Sequence, residues 1–316
     1  MRGRFILGLG VLCSAGAAIA QVGVPQLGWV PDGTSIRPVF GIPAAAAIGA
    51  AISADQDFAR IAPSPARNYV LVSAAQNGEV SVYTADHGMI RLEGAGGAPD
   101  VVVLSPRGSA AALWFSSINQ VQLVTGLPDA PAIRQVDASF LASAPGALAI
   151  SDDGAWFAGA WSRGVYAFGP NREVIRLPIE DHVAALAFLA GKHDLAAAGA
   201  SGLSMVTGVD GFAIVSILLA SADSSLEPVA VAATSDNRTL VLADRAGAVT
   251  TVDTASGAVT TSDCGCQPEG LFGIGPSAFR LTGVQSGAFK LFDATSGEIL
   301  FAPLALDRAQ AEGAAQ

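Results

Sequence analysis

Three clusters in the 316-residue chain bring together residue types that could do chemistry. The first is Cys264-Gly265-Cys266. Two thiols one residue apart can close a disulfide in an oxidising compartment, work as a redox pair, or offer two thiolates to a soft metal such as Cu(I). A metal normally needs further ligands, and His87, His182 and His193 stand at no ligand spacing from the pair. A disulfide is the expectation, with redox or metal handling as the alternative. The second cluster is Asp152-Asp153 and the third is Glu180-Asp181-His182. Paired carboxylates can serve general acid–base catalysis, but each pair falls at a turn, where Asp is wanted for local hydrogen bonds anyway. No G-x-S-x-G elbow, H-E-x-x-H motif or phosphate-cradling glycine loop accompanies them.

The element that must position these residues is a repeat. A turn ending in glycine and leading into an apolar run occurs at Gln76-Asn77-Gly78 before EVSVY, Ser162-Arg163-Gly164 before VYAF and Ser201-Gly202 before LSMV. It returns at Arg245-Ala246-Gly247 before AVTTV and Gln285-Ser286-Gly287 before AFKLF, and Asn119 before QVQLV fills the one gap. Glycine and asparagine are the residues that best tolerate positive φ, so all six positions are expected to adopt it. The anchors Gly78, Asn119, Gly164, Gly202, Gly247 and Gly287 are separated by 41, 45, 38, 45 and 40 residues. A strand-rich repeat of roughly forty to forty-five residues has the pitch of a β-propeller blade.

The unit from about 146 to 181 shows one blade strand by strand. ALAI (147–150) is an inner strand, Ser151-Asp152-Asp153-Gly154 a turn, and WFAGAW (156–161) the second strand. After Gly164, VYAF (165–168), the turn 169–172 and EVIRLPI (173–179) complete four antiparallel strands. Ser105-Pro106-Arg107-Gly108 and Ser235-Asp236-Asn237 repeat the first turn; Asp253-Thr254-Ala255-Ser256-Gly257 and Asp293-Ala294-Thr295-Ser296-Gly297 repeat the third. These turns resemble those of secreted bacterial propellers of the YVTN and WD40-like type, over about residues 61–305. The Trp-Asp dipeptide that ends a true WD40 blade is absent.

The fold expected is all-β, a single β-propeller of four-stranded blades. Six units are complete. Before them, Trp29 to Gly33 and Ser35 to Phe40 read as the last hairpin of a unit, and the Ala-rich stretch 44–52 offers a further strand. The expectation is seven blades with an abbreviated first blade; the alternative is a six-bladed ring with that hairpin on its edge. Trp114, Phe115, Trp156 and Phe157 lie inside strands and are expected to pack between blades. Glu180, Asp181 and His182, in a loop between blades, are candidates for polar residues at a channel mouth, with Trp161 and Arg163 at a nearby strand end. The tryptophans do not recur at the blade pitch as those of quinoprotein propellers do, and no cofactor is expected.

The ends and the charge bound the function. Arg2 and Arg4, the apolar run Phe5–Ile19 and Ala18-Ile19-Ala20 have the form of a cleavable export signal over 1–20, leaving a propeller domain over 21–306 and a polar tail over 307–316. The apolar run is shorter than the ~20 residues a membrane span needs, so no span is expected after cleavage. The net charge is −10, and Lys192 and Lys290 are the only lysines. That excludes the basic footprint of a nucleic-acid binder. The reading is a periplasmic or secreted, non-enzymatic propeller that binds an unknown protein or extracellular ligand. The alternatives are a lactonase- or hydrolase-type propeller with carboxylates or a metal at the channel mouth, and a redox or metal-handling protein built on the C-x-C pair.

Overall fold

In the strand Ala110–Phe115 every residue is buried, and the two-residue period of a strand sorts them by face. Ala110, Ala112 and Trp114 pack on the sheet that follows, with Phe157 and Phe168. Ala111, Leu113 and Phe115 pack on the sheet that precedes, with Tyr69 and Val82. A strand covered on both faces needs apolar residues at every position, and the chain supplies continuous Ala-, Val- and Leu-rich runs for it. Repeated along the chain, this gives sheets standing face to face around an axis.

The computed structural model describes residues 25–52, 56–141, 143–179, 182–221, 225–284 and 287–305. The segment 1–20 read as an export signal, the tail 307–316, and Glu180 and Asp181 lie outside the described residues. Seven antiparallel sheets follow one another in chain order: one of three strands, then six of four strands, each strand paired with its sequence neighbour. Seven apolar clusters fill the seven seams between successive sheets, including the seam from the last sheet back to the first. The molecule is a seven-bladed β-propeller, and the expected abbreviated first blade is the three-stranded sheet Gln26–Asp32, Ser35–Phe40 and Ala47–Ile48.

That first blade lacks an inner strand among the described residues. Its Gln26–Asp32 strand packs beside Phe58–Pro63, the inner strand of the second blade. The second strand Phe157–Trp161 of the fourth blade packs in the same way on the inner strand Val183–Phe188 of the fifth. Its hairpin turn lies at the rim where the second blade begins, with Phe58 N donating to Thr34 O at 3.1 Å. The three strands thus occupy the second to fourth places of a blade. Among the described residues six inner strands surround the axis: Phe58–Pro63, Val101–Leu104, Ala147–Ile150, Val183–Phe188, Pro228–Ala233 and Phe272–Gly273. Where a seventh would stand, Gly273 lies against Pro65. The ring is also clasped at its circumference, where Ile48 forms a parallel bridge with Leu304 and Ala305 N donates to Ile48 O at 2.8 Å.

The six anchors all sit in the turn between the second and third strands, and all have positive φ: Gly78 70°, Asn119 53°, Gly164 125°, Gly202 142°, Gly247 101° and Gly287 80°. At Gly202 a side chain is excluded outright, since a Cβ there would collide with the Leu219 carbonyl oxygen.

Candidate functional site

The turns between first and second strands gather on one face and tie the second to seventh blades one to the next. Tyr69 Oη, buried and held protonated by that burial, donates to Gly108 O at 2.7 Å, joining the second and third blades. Asp152 accepts from Arg107 N at 2.7 Å and from Gly191 N at 2.6 Å, so one carboxylate spans the third, fourth and fifth blades. The Asn237 amide accepts from Ala190 N at 2.8 Å and donates to Ala190 O at 2.9 Å. Ser235 N donates to Pro276 O at 2.8 Å. The result is a collar of turns.

Below the collar the axis opens into a cavity of about 500 Å³, a size suited to a small organic ligand. Each inner strand contributes to its wall, with Ile61, Val103, Ile150, Ala187, Ala232 and Phe272 one from each. Small residues on inner strands leave this space open. The polar residues on the lining are Ser105, Ser235, Arg67 and Arg107, and no Asp, Glu, His or Cys is among the lining residues. Arg107 reaches across the rim, and a Cβ on Gly191 would lie 2.8 Å from its Nη1.

A further arginine stands behind the wall. Arg280 is 3 % exposed, its guanidinium lies 4.0 Å from the centre of the Phe272 ring, and Nη1 donates to Thr282 O at 2.7 Å. Its Nε is buried without a hydrogen-bond partner. Burial lowers its pKa to about 10 against the opposing pull of Glu269, so it is charged at neutral pH.

The rim aspartates do other work. Asp153 accepts from Ser151 Oγ at 2.6 Å and Ala155 N at 3.0 Å within its own turn, and Asp236 accepts from Thr234 Oγ1 at 2.7 Å and Arg238 N at 3.1 Å. Asp153 also meets His193 Nε2 at 2.9 Å, while His193 Nδ1 meets Asp210 Oδ2 at 2.8 Å. Both ring nitrogens face carboxylates, so both contacts are hydrogen bonds only when the imidazole carries two protons. Partial burial works against that charge, and the hydrogen bonds to Asp210 and Asp153 outweigh it and raise the His193 pKa above 6.5. This Asp-His-Asp bridge between the fourth and fifth blades is absent from the sequence reading. Its signal was the spacing: His193 follows Asp153 by one blade pitch, 40 residues.

Trp161, Arg163 and His182 do come together, but not at the mouth of this cavity. They line a separate groove of about 220 Å³ between the fourth and fifth blades, with Arg176 and Gly164. Trp161 is 4 % exposed rather than open to a ligand. The strand runs to its end, pairing Trp161 with Gly164, and the indole packs on Phe157, Tyr166 and Phe168 in the seam to the third blade.

Cys264 and Cys266 lie in the loop that leaves the sixth blade's outer strand Val259–Asp263, and they are joined in a disulfide. Gly265 takes φ 53° between them. Lys290 Nζ, from the seventh blade, donates to Cys264 O at 2.8 Å and Gly265 O at 2.7 Å and pins the loop. Among the described residues no group of three or more His, Cys, Asp or Glu is placed to hold a metal ion.

Comparisons with known proteins give the fold and no more. No family model matches the chain, and no curated protein matches it. A solved structure of a functionally unknown protein from Desulfotomaculum acetoxidans DSM 771 is similar over 89 % of this chain and 100 % of that one, with a TM-score of 0.56 and 11 % sequence identity. At that identity the likeness is one of architecture.

Proposed function

We propose that this protein is an exported, non-enzymatic propeller of the YVTN/WD40-like kind, a binding module whose ligand enters the central cavity. One observation carries the reading: the cavity wall is largely apolar, its mouth is framed by the collar of turns, and among the described residues no acid–base side chain lines it. A lactonase- or hydrolase-type propeller would need carboxylates or a metal facing that space, and the rim aspartates instead turn their oxygens to turn amides, hydroxyls and His193. Among the described residues no helix is long and apolar enough to cross a membrane. Export rests on Arg2, Arg4, the apolar run and Ala18-Ile19-Ala20. Intact mass of the exported product is expected to place its N-terminus at Gln21, and retention of Met1 would refute export by cleavage.

The neutral fluorophore N-phenyl-1-naphthylamine tests the binding reading. It should bind saturably at one site per chain, and the separate cavity-filling variants Ala187→Phe and Ala232→Phe should each abolish that binding while keeping the parent's circular dichroism. Equal binding by parent and both folded variants would place the site elsewhere.

A further inference from the structure

We infer that the cavity selects an organic anion: an apolar body carrying one acidic group, a carboxylate or sulfonate. The inference rests on the cavity being the ligand site and adds the charge of the ligand. Two cations, Arg67 and Arg107, belong to the lining, and no anion does. They come from adjacent turns that abut, since Gly108 lies against Ser64. The nearest carboxylate to Arg107 is Asp152, 3.9 Å from its Nε. Both Asp152 oxygens are already held by short bonds from the amides of Arg107 and Gly191, which leaves the guanidinium only partly neutralised. Asp153 and Asp236 are likewise committed to their own turns.

The independent observation is Arg280. A buried guanidinium with an unpartnered Nε is costly to a fold, and such a group calls for an explanation. Here it stands directly behind Phe272, a wall residue of the cavity, and the part of its positive field that Glu269 does not offset reaches the space that the ligand would occupy. In an apolar enclosure that field is weakly screened. Three arginines around an apolar space, in a chain of net charge −10, are a selective arrangement for an amphipathic anion.

Two probes with one apolar skeleton separate the terms: 8-anilinonaphthalene-1-sulfonate and its neutral parent, N-phenyl-1-naphthylamine. With the full exported chain at low salt, the sulfonate should bind about tenfold or more tighter than the parent. Arg67→Gln with Arg107→Gln should remove most of that advantage and leave the neutral probe within about twofold. Arg280→Met, which keeps a long apolar side chain in the same place, should also weaken the sulfonate more than the parent. Equal affinity for the two probes, both blocked by Ala232→Phe, would overturn anion selection while leaving the binding reading intact. A sulfonate preference indifferent to all three arginines would overturn it as well. Absence of binding by either probe would remove both readings together.

Discussion

His193 is the residue at which solution pH should be felt. Its pKa is raised above 6.5 because Asp153 and Asp210 favour the doubly protonated ring against the opposing effect of burial. A group whose pKa is raised on folding stabilises the fold at pH values below its unfolded value, and that stabilisation fades as pH climbs through the folded value. The Asp153 pKa is lowered, since its hydrogen bonds outweigh the cost of burial, so its share is lost only as pH falls below about 3.8. Against His193→Gln, the parent should be favoured by roughly 0.5–1 kcal/mol near pH 5.5, because the bridge is partly solvated, and by less at pH 8. Urea melts at both values check this, and an imidazole titrating below 6.5 by NMR would refute it. For the Cys264–Cys266 pair, thiol titration of the unfolded, unreduced protein should find no free thiol. Changing both to serine should cost only about 1.5 kcal/mol, because so short a ring removes little unfolded-chain entropy.

At the scale of elements, the turns between second and third strands share a backbone conformation and differ in what surrounds them. Gly202→Val should cost about 3 kcal/mol or more, because positive φ is combined with collision against the Leu219 carbonyl. Gly164→Val should cost less, about 1–2 kcal/mol, since the nearest atoms a Cβ there meets belong to the movable Arg176 side chain, from 3.1 Å. Denaturant midpoints for the two variants read the difference, and equal losses would separate the cost from backbone crowding. These turns were legible in the sequence because φ > 0 selects glycine or asparagine locally, and the strands were legible because two-sided burial demands unbroken apolar runs. The side-chain contacts between blades were less so. Asp152 reaches Gly191 across 39 residues and Asn237 reaches Ala190 across 47, and only their nearness to the blade pitch hints at the contact. The burial of Trp161 was not legible because a strand's last residue can face either solvent or the adjoining blade, and the turn before Gly164 does not say which.

For the molecule as a whole, the seam at the first blade should be the least protected part of the inner ring. Its neighbour Phe272–Gly273 is an inner strand of two residues, whereas Val183–Phe188 has six and lies between two other inner strands. Local opening follows the density of packing and hydrogen bonding, so amides around 272–274 should exchange faster than those of 185–188 under native conditions. Hydrogen exchange followed by mass spectrometry would show it, and equal protection would mean that the gap is sealed by other means. The count of blades was readable from repeat spacing and the opening half-unit. The cavity was not, because it depends on which small residues of six distant strands converge.

A ring of identical wedges would have no preferred place to yield; the described residues of this one resemble a split washer, with its slit at the first blade and a fastening on the outer rim. Dilation there would stretch the Ile48–Leu304 bridge and leave most seams intact. On that picture, guest size should depend on how far the slit can spread. Locking the rim with an Ile48→Cys, Leu304→Cys crosslink should leave uptake of N-phenyl-1-naphthylamine unchanged and exclude bulkier relatives that the unlocked protein admits.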